Sequence, residues 1–283
     1  MQIIKNERFT CKIAETGAEL CSLQDTAGRE YIWQGLAPYW PSHAINLFPV
    51  CGRLYKQMYT YKGKIYTIGN HGFARKAVFS PVSHTGDAVT LRLTASPETK
   101  AQYPFDFILD ISFRLDGHKL HCGYTVRNAG KEPMPYAVGA HPGFSVEPIE
   151  DYTVEFSGAP VQRVFDENGL DVGKTAPYPF AAGNRIPLTH RLFDNDSLFF
   201  ENVGKSVRLL HKNGGSITVT CPEANFWGIW HSPQSDAPFV CIEPWYGAPG
   251  REGITEALET REYMLRLAPG EEKTFAYTVE ISG

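Results

Sequence analysis

FDFILDISFRLDGHKLHCGYTV, residues 105–126, alternates twice over. Phe105, Phe107, Leu109, Ile111, Phe113 and Leu115 fall on one parity, with Asp106, Asp110, Ser112 and Arg114 on the other. After Asp116-Gly117, the residues Leu120, Cys122, Tyr124 and Val126 alternate with His121, Thr125 and Arg127. A period of two sends successive side chains to opposite faces of a strand, and Asp-Gly suits a tight turn. The stretch therefore predicts an antiparallel hairpin with one buried face.

The same period recurs on both sides of it. It is present at Val89-Leu91-Leu93, at Tyr152-Val154-Phe156, and at Ile217-Val219-Cys221 after the turn Asn213-Gly214-Gly215. It closes with Phe275-Tyr277-Val279-Ile281, introduced by Pro269-Gly270. Helical signals are confined to short segments around 189–197 and 254–260. The 26 glycines and 20 prolines are spread as turn punctuation rather than gathered into a linker. One all-β domain over residues 1–283 is expected, a large antiparallel β-sandwich with few short helices.

Composition narrows the partners. A chain of 283 residues with 42% hydrophobic and 20% charged residues can build a substantial core. A net charge of −4 with scattered Lys and Arg argues against nucleic acid and against an anionic membrane surface. No stretch approaches about 18 apolar residues, and the N-terminal residues lack a signal-like apolar region. The six cysteines (11, 21, 51, 122, 221 and 241) show no metal-ligand spacing. They read as small buried hydrophobes of a reduced, cytoplasmic protein.

Four segments break the alternation and gather polar and aromatic residues: Phe48–Arg53, Asn70–Arg75, Gly139–Phe144 and Cys241–Trp245. Pro142 and Pro244 hold His141 and Glu243 extended, which would aim each side chain from the end of a strand. Glu243, between Phe239-Val240-Cys241-Ile242 and Pro244-Trp245, is a carboxylate in apolar surroundings, where it must be paired, hydrogen-bonded or functional. Trp227, Trp230 and Trp245 could offer an aromatic face to a ligand or could be core residues. His231 and His43 could reach the same cleft.

In order, Gly52-Arg53, His71-Gly72-Phe73, His141-Pro142-Gly143-Phe144 and Glu243-Pro244-Trp245 resemble the aldose 1-epimerase (galactose mutarotase-like) family, in its bacterial LacX-like branch. The resemblance runs from Gly17–Leu23 and Glu30–Trp33 through Tyr103-Pro104-Phe105 to the final hairpin. It implies a general acid at His141 acting on a sugar ring oxygen, and a general base at Glu243 acting on the anomeric hydroxyl. It implies that His71 and Arg53 bind substrate, and that an aspartate, Asp196 rather than Asp194, holds neighbouring hydroxyls. Arg75 and Trp230 join the expected binding residues. The acid and base are expected on opposite sides of the reacting bond. Ring opening and reclosure moves only protons, so no cofactor and no metal are implied.

Departures from the galactose enzymes around His71 and after Pro142 leave the preferred sugar open. Three other readings follow from the same residues. Arg53 and Arg75 could clamp the phosphate of a hexose phosphate. The fold could serve as a sugar-binding sensor without catalysis. His71, His141 and Glu243 could converge on a metal. A small-molecule sugar is the expected partner, for a monomer or homodimer.

Overall fold

The computed structural model describes residues 1–283. Two large antiparallel sheets dominate it. In the nine-stranded sheet, the spatial order is Arg185–Pro187, Tyr152–Phe156, Ser206–His211, Ser216–Thr220, Glu272–Ser282, Lys119–Asn128, Phe107–Asp116, Ala88–Thr94 and Ser80–His84. The seven-stranded sheet runs Asp171–Ala176, Val161–Phe165, Leu198–Glu201, Phe226–Trp230, Phe239–Tyr246, Val138–Ser145 and Ala44–Leu47. A three-stranded sheet of Gln2–Lys5, Phe9–Ile13 and Leu20–Asp25 precedes them. No helix is long and apolar enough to cross a membrane.

The hairpin expected at 105–126 forms, with Phe107–Asp116 paired to Lys119–Asn128 and the turn at Gly117-His118 between paired Asp116 and Lys119. On Phe107–Asp116 every odd-numbered residue is buried, while the even-numbered ones are exposed or half-buried. That buried face meets the seven-stranded sheet. Tyr124 donates its hydroxyl to Asn46 Oδ1 across the gap at 2.7 Å, and the Tyr246 and Phe275 rings pack at 4.5 Å. A continuous core of 73 buried residues fills the space between the sheets.

Helical content differs from the expectation, which missed single 3-10 turns at Tyr55–Gln57, Ala74–Lys76 and Ile149–Asp151. Residues 190–193 form one turn of 3-10 helix, but 254–260 contain no helix, only a bridge from Ala257 to Thr60 and a following turn. A six-residue α-helix, Pro97–Gln102, stands where none was expected. Ser96 and Thr99 cap it reciprocally and Pro97 starts it, a local hydrogen-bond signal that needs no 3.6-residue period.

The seven-stranded sheet is unlike its partner because its central strands are buried on both faces. All eight residues of Phe239–Tyr246 are buried. Val240, Ile242 and Tyr246 join the main core, while Phe239 and Cys241 pack with Trp33 in a separate cluster on the opposite side. That opposite face carries the candidate site.

Candidate active site

His141 and Glu243 stand mid-strand rather than at strand ends. The strands pair Gly139 with Trp245 and Gly143 with Cys241, so in the same register His141 stands directly opposite Glu243. Between those two pairings the ladder is open, and Pro142 and Pro244, which lack a backbone N–H, occupy the gap. Directly opposed residues bring their Cβ atoms to about 4.5–5.5 Å. Here the outcome is a His141 Nε2 to Glu243 Oε2 distance of 3.3 Å.

The row extends sideways through the sheet. Ile45 pairs with His141, Gly228 with Glu243, and Phe199 with Gly228. Ile45, His141, Glu243, Gly228 and Phe199 thus line one cavity of about 230 Å³ from five strands. Gly228 makes room for the carboxyl, since a Cβ there would lie 3.2 Å from Glu243 Cδ. Trp245, Trp230, Trp40, Phe165 and Pro249 supply apolar wall, and Asn70, Asp196 and Ser197 supply polar groups.

His71 reaches the cavity by a different route. Phe48–Arg53 and Asn70–Arg75 interlock through backbone bonds, with His71 N–H donating to Gly52 O at 3.0 Å and Phe73 N–H to Phe48 O at 3.1 Å. Both His71 and Gly72 adopt left-handed backbone, φ 62° and 73°. A Cβ on Gly72 would fall 2.1 Å from Phe48 O, so only glycine fits there. The Gly52 N–H donates to His71 Nδ1 at 3.2 Å, which makes Nδ1 an acceptor and puts the ring proton on Nε2.

Electrostatics follow from burial. His71, His141 and Glu243 are 8%, 7% and 2% exposed. Desolvation pushes the Glu243 carboxyl well above the ordinary range, and the neighbouring Asp196 adds to the rise. Burial pushes His141 down to about 3, helped by Arg75. Burial also lowers His71, followed by the influence of His141 and the two arginines. Without ligand, the favoured state of the pair is a neutral imidazole beside a protonated carboxyl. Trp40 and Trp230 pack on the His141 ring at 4.9 and 5.4 Å and keep water from it.

Two arginines stand at the cavity. Arg53 is exposed, and its Nη1 donates to Asn168 O at 2.9 Å across the mouth. Arg75 is half-buried, and its side chain has neither a hydrogen bond nor an ion pair. Beyond Arg53 and Asn70 lies a broader cavity of about 550 Å³ that adds Tyr55, Lys56 and Gln57 to the lining.

Every expected site residue, namely His141, Glu243, Arg53, His71, Asp196, Arg75 and Trp230, lines the cavity. Asp194 is exposed and outside it. Corrections concern neighbours. Trp227 faces the main core, because its parity is opposite to that of Gly228 and Trp230. His231 is fully buried against Phe193 and shares a 3.3 Å hydrogen bond with His190, away from the cavity. His43 does not line it either. A metal held by His71, His141 and Glu243 is not what the geometry offers. Cys241 joins His141 and Glu243 in place of His71, and burial keeps its thiol protonated. His141 and Glu243 are adjacent, with Nε2 and Oε2 in contact.

Trp40, Ile45, Phe165, Gly169, Ser197, Phe199, Gly228 and Pro249 also line the wall without having been given a role, as does Asn70. Asn70 alone carried a signal, as part of the segment ending in Arg75.

The antiparallel sandwich is of the galactose mutarotase-like class, whose solved members it superposes on over its whole length. The chain belongs to the aldose 1-epimerase family, whose model matches residues 1–280. The chromosomal protein LacX of Lactococcus lactis subsp. lactis is 29% identical, with 98% of each chain covered. A galactose mutarotase-like protein from Lactobacillus casei superposes with a TM-score of 0.95 at 32% identity, covering 100% of both chains. A galactose mutarotase related enzyme from Lactobacillus acidophilus gives 0.94 at 32%, covering 100% of this chain and 97% of its own.

Proposed function

We propose that this protein is an aldose 1-epimerase that interconverts the α and β anomers of a free aldohexose, working in the cytoplasm. The observation that carries the reading is the 3.3 Å contact between His141 Nε2 and Glu243 Oε2 inside the cavity. The hydroxyl and the ring oxygen of a cyclic aldose are both bonded to C1, so one base and one acid side by side can serve both atoms.

The pair needs one shared proton. Neutral imidazole with a protonated carboxyl has the same proton count as imidazolium with carboxylate. A polar sugar favours the charged arrangement, and Trp40 stabilises the imidazolium through its ring face. Glu243 then takes the proton of the anomeric hydroxyl while His141 gives one to the ring oxygen, and the C1–ring oxygen bond breaks. After rotation about C1–C2, His141 recovers its proton and Glu243 returns one to the carbonyl oxygen. His71 Nε2–H and Arg53 donate to hydroxyls, Asp196 accepts from them, and the indoles of Trp230 and Trp245 cover the C–H face.

Polarimetry or NMR anomer exchange across a panel of free aldoses tests the proposal. Glu243→Gln and His141→Asn should each lower turnover by about 10²–10⁴-fold, with weaker effects on KM. Full activity in either variant would refute the roles.

One observation favours a second reading, a hexose phosphate as substrate. Arg75 presents a half-buried guanidinium that makes no ion pair, and Arg53 and Lys56 flank the adjoining cavity. Activity on the 6-phosphate and none on the free hexose would select it.

A further inference from the structure

Away from the cavity, three side chains of metal-ligand type converge where the three-stranded sheet meets the edge of the seven-stranded one. Glu19 and Cys21 are two residues apart at the start of Leu20–Asp25, and so share a face. His43, just before Ala44–Leu47, comes against them. One ligand atom from each lies within 4.8 Å of the other two, and His43 Nδ1 is 3.4 Å from Glu19 Oε1. All three residues are half-buried.

The surroundings hold these donors in place. Glu19 Oε1 accepts the backbone N–H groups of His43 at 2.5 Å and Ala44 at 3.2 Å, which leaves Oε2 free. Gly35 lies against the far edge of the imidazole, where a Cβ would come to 3.0 Å of Nε2. His43 Nδ1 points into the cluster, buried and without a hydrogen-bond partner of good geometry. Cys21 is the only one of the six cysteines that is not buried, and its thiol donates to the Glu19 carbonyl at 3.3 Å.

We propose that Glu19, Cys21 and His43 form a binding site for a zinc-class divalent ion, with water as the fourth ligand. Thiolate, imidazole and carboxylate are the donors zinc takes in a tetrahedron, at about 2.0–2.3 Å. Calcium and magnesium, which demand oxygen, are disfavoured by two of the three. On binding, the thiol gives up its proton to solvent, and bonds from zinc to sulfur, to the neutral imidazole nitrogen and to the carboxylate oxygen form with no change of oxidation state.

The ion would act as a clip. It would tie the three-stranded sheet to His43, whose carbonyl accepts the Gly143 N–H at 2.9 Å, two residues from His141. None of the three ligands lines the cavity, although the Glu19 charge acts on Arg75, which does.

Cobalt(II) titration of the purified full-length protein tests this, reading the thiolate-to-cobalt charge-transfer band and the visible bands of tetrahedral cobalt. One equivalent should bind and be displaced by zinc. Cys21→Ser should abolish the charge-transfer band, and His43→Ala should weaken binding about tenfold or more. His141→Asn should leave it unchanged. Zinc should also slow alkylation of Cys21 by iodoacetamide and raise the melting temperature of the wild type but not of Cys21→Ser. Absence of the band in the wild type would overturn the proposal, as would a band that survives in Cys21→Ser and so belongs to Cys241.

Discussion

Glu243 is a carboxyl group that water barely reaches, and its ionisation is opposed first by burial and then by Asp196. Its folded-state pKa is raised, so between the ordinary value of 4.5 and that raised value the folded protein keeps a proton that the unfolded chain releases. Stability from this residue is therefore present at low pH and lost as pH rises through that window. Glutamine has the shape of the protonated acid and cannot ionise. Glu243→Gln should melt at the wild-type temperature near pH 4 and above it at pH 8, by about 2–4 °C for each kcal/mol relieved. A melting point below wild type at pH 8 would contradict the buried-acid assignment. His141 acts in the opposite sense: with its pKa pushed down to about 3 from 6.5, it makes the fold lose stability as pH falls between those values. Its variant His141→Asn should flatten the acid limb of a melting-temperature profile measured from pH 3 to 7.

Among the elements, Phe226–Trp230 and Phe239–Tyr246 set the position of the carboxyl to within a fraction of an ångström. A methyl on Gly228 would meet Glu243 Cδ at 3.2 Å and Cβ at 3.3 Å. Gly228→Ala should lower kcat by about 10–100-fold, because a misplacement of about 1 Å can cost 10². Circular dichroism should stay native. The helix Pro97–Gln102 offers the converse case: Ser96→Ala removes its cap and should cost about 1 kcal/mol in urea unfolding, with turnover unchanged. Both elements show what the sequence conceals. The hairpin at 107–128 was legible because one face is wet, and alternation then marks the parity. Phe226–Trp230 is buried on both faces, so no polar residue distinguishes Trp227, in the core, from Trp230, at the cavity. The helix is too short to display a period, and only its capping residues announce it.

For the molecule as a whole, the sandwich was readable and the cavity only in part. His141, Glu243, His71 and Arg53 sit in short motifs whose glycines and prolines stand out from alternating strands. Trp40, Phe165 and Phe199 are ordinary aromatic residues until the fold brings them together. The core joins both sheets to the Phe48–Arg53 segment through Phe107, whose ring meets Phe48, Phe73 and Tyr103 at 5.0, 5.7 and 6.1 Å. Phe107→Ala should lose about 3–5 kcal/mol in urea unfolding, since the cavity left behind adds to the lost transfer energy.

The lateral row of Ile45, His141, Phe199, Gly228 and Glu243 has a kinetic meaning. Its members come from five stretches of chain spread over about 200 residues, and His141 and Glu243 meet only through a long-range strand pairing. Hairpins joined by short turns close early, whereas pairings between distant stretches bear the full loop-closure entropy and form late. In a refolding experiment, circular dichroism should therefore recover before any turnover does. The rate at which activity returns would then time the long-range strand pairings that assemble the cavity.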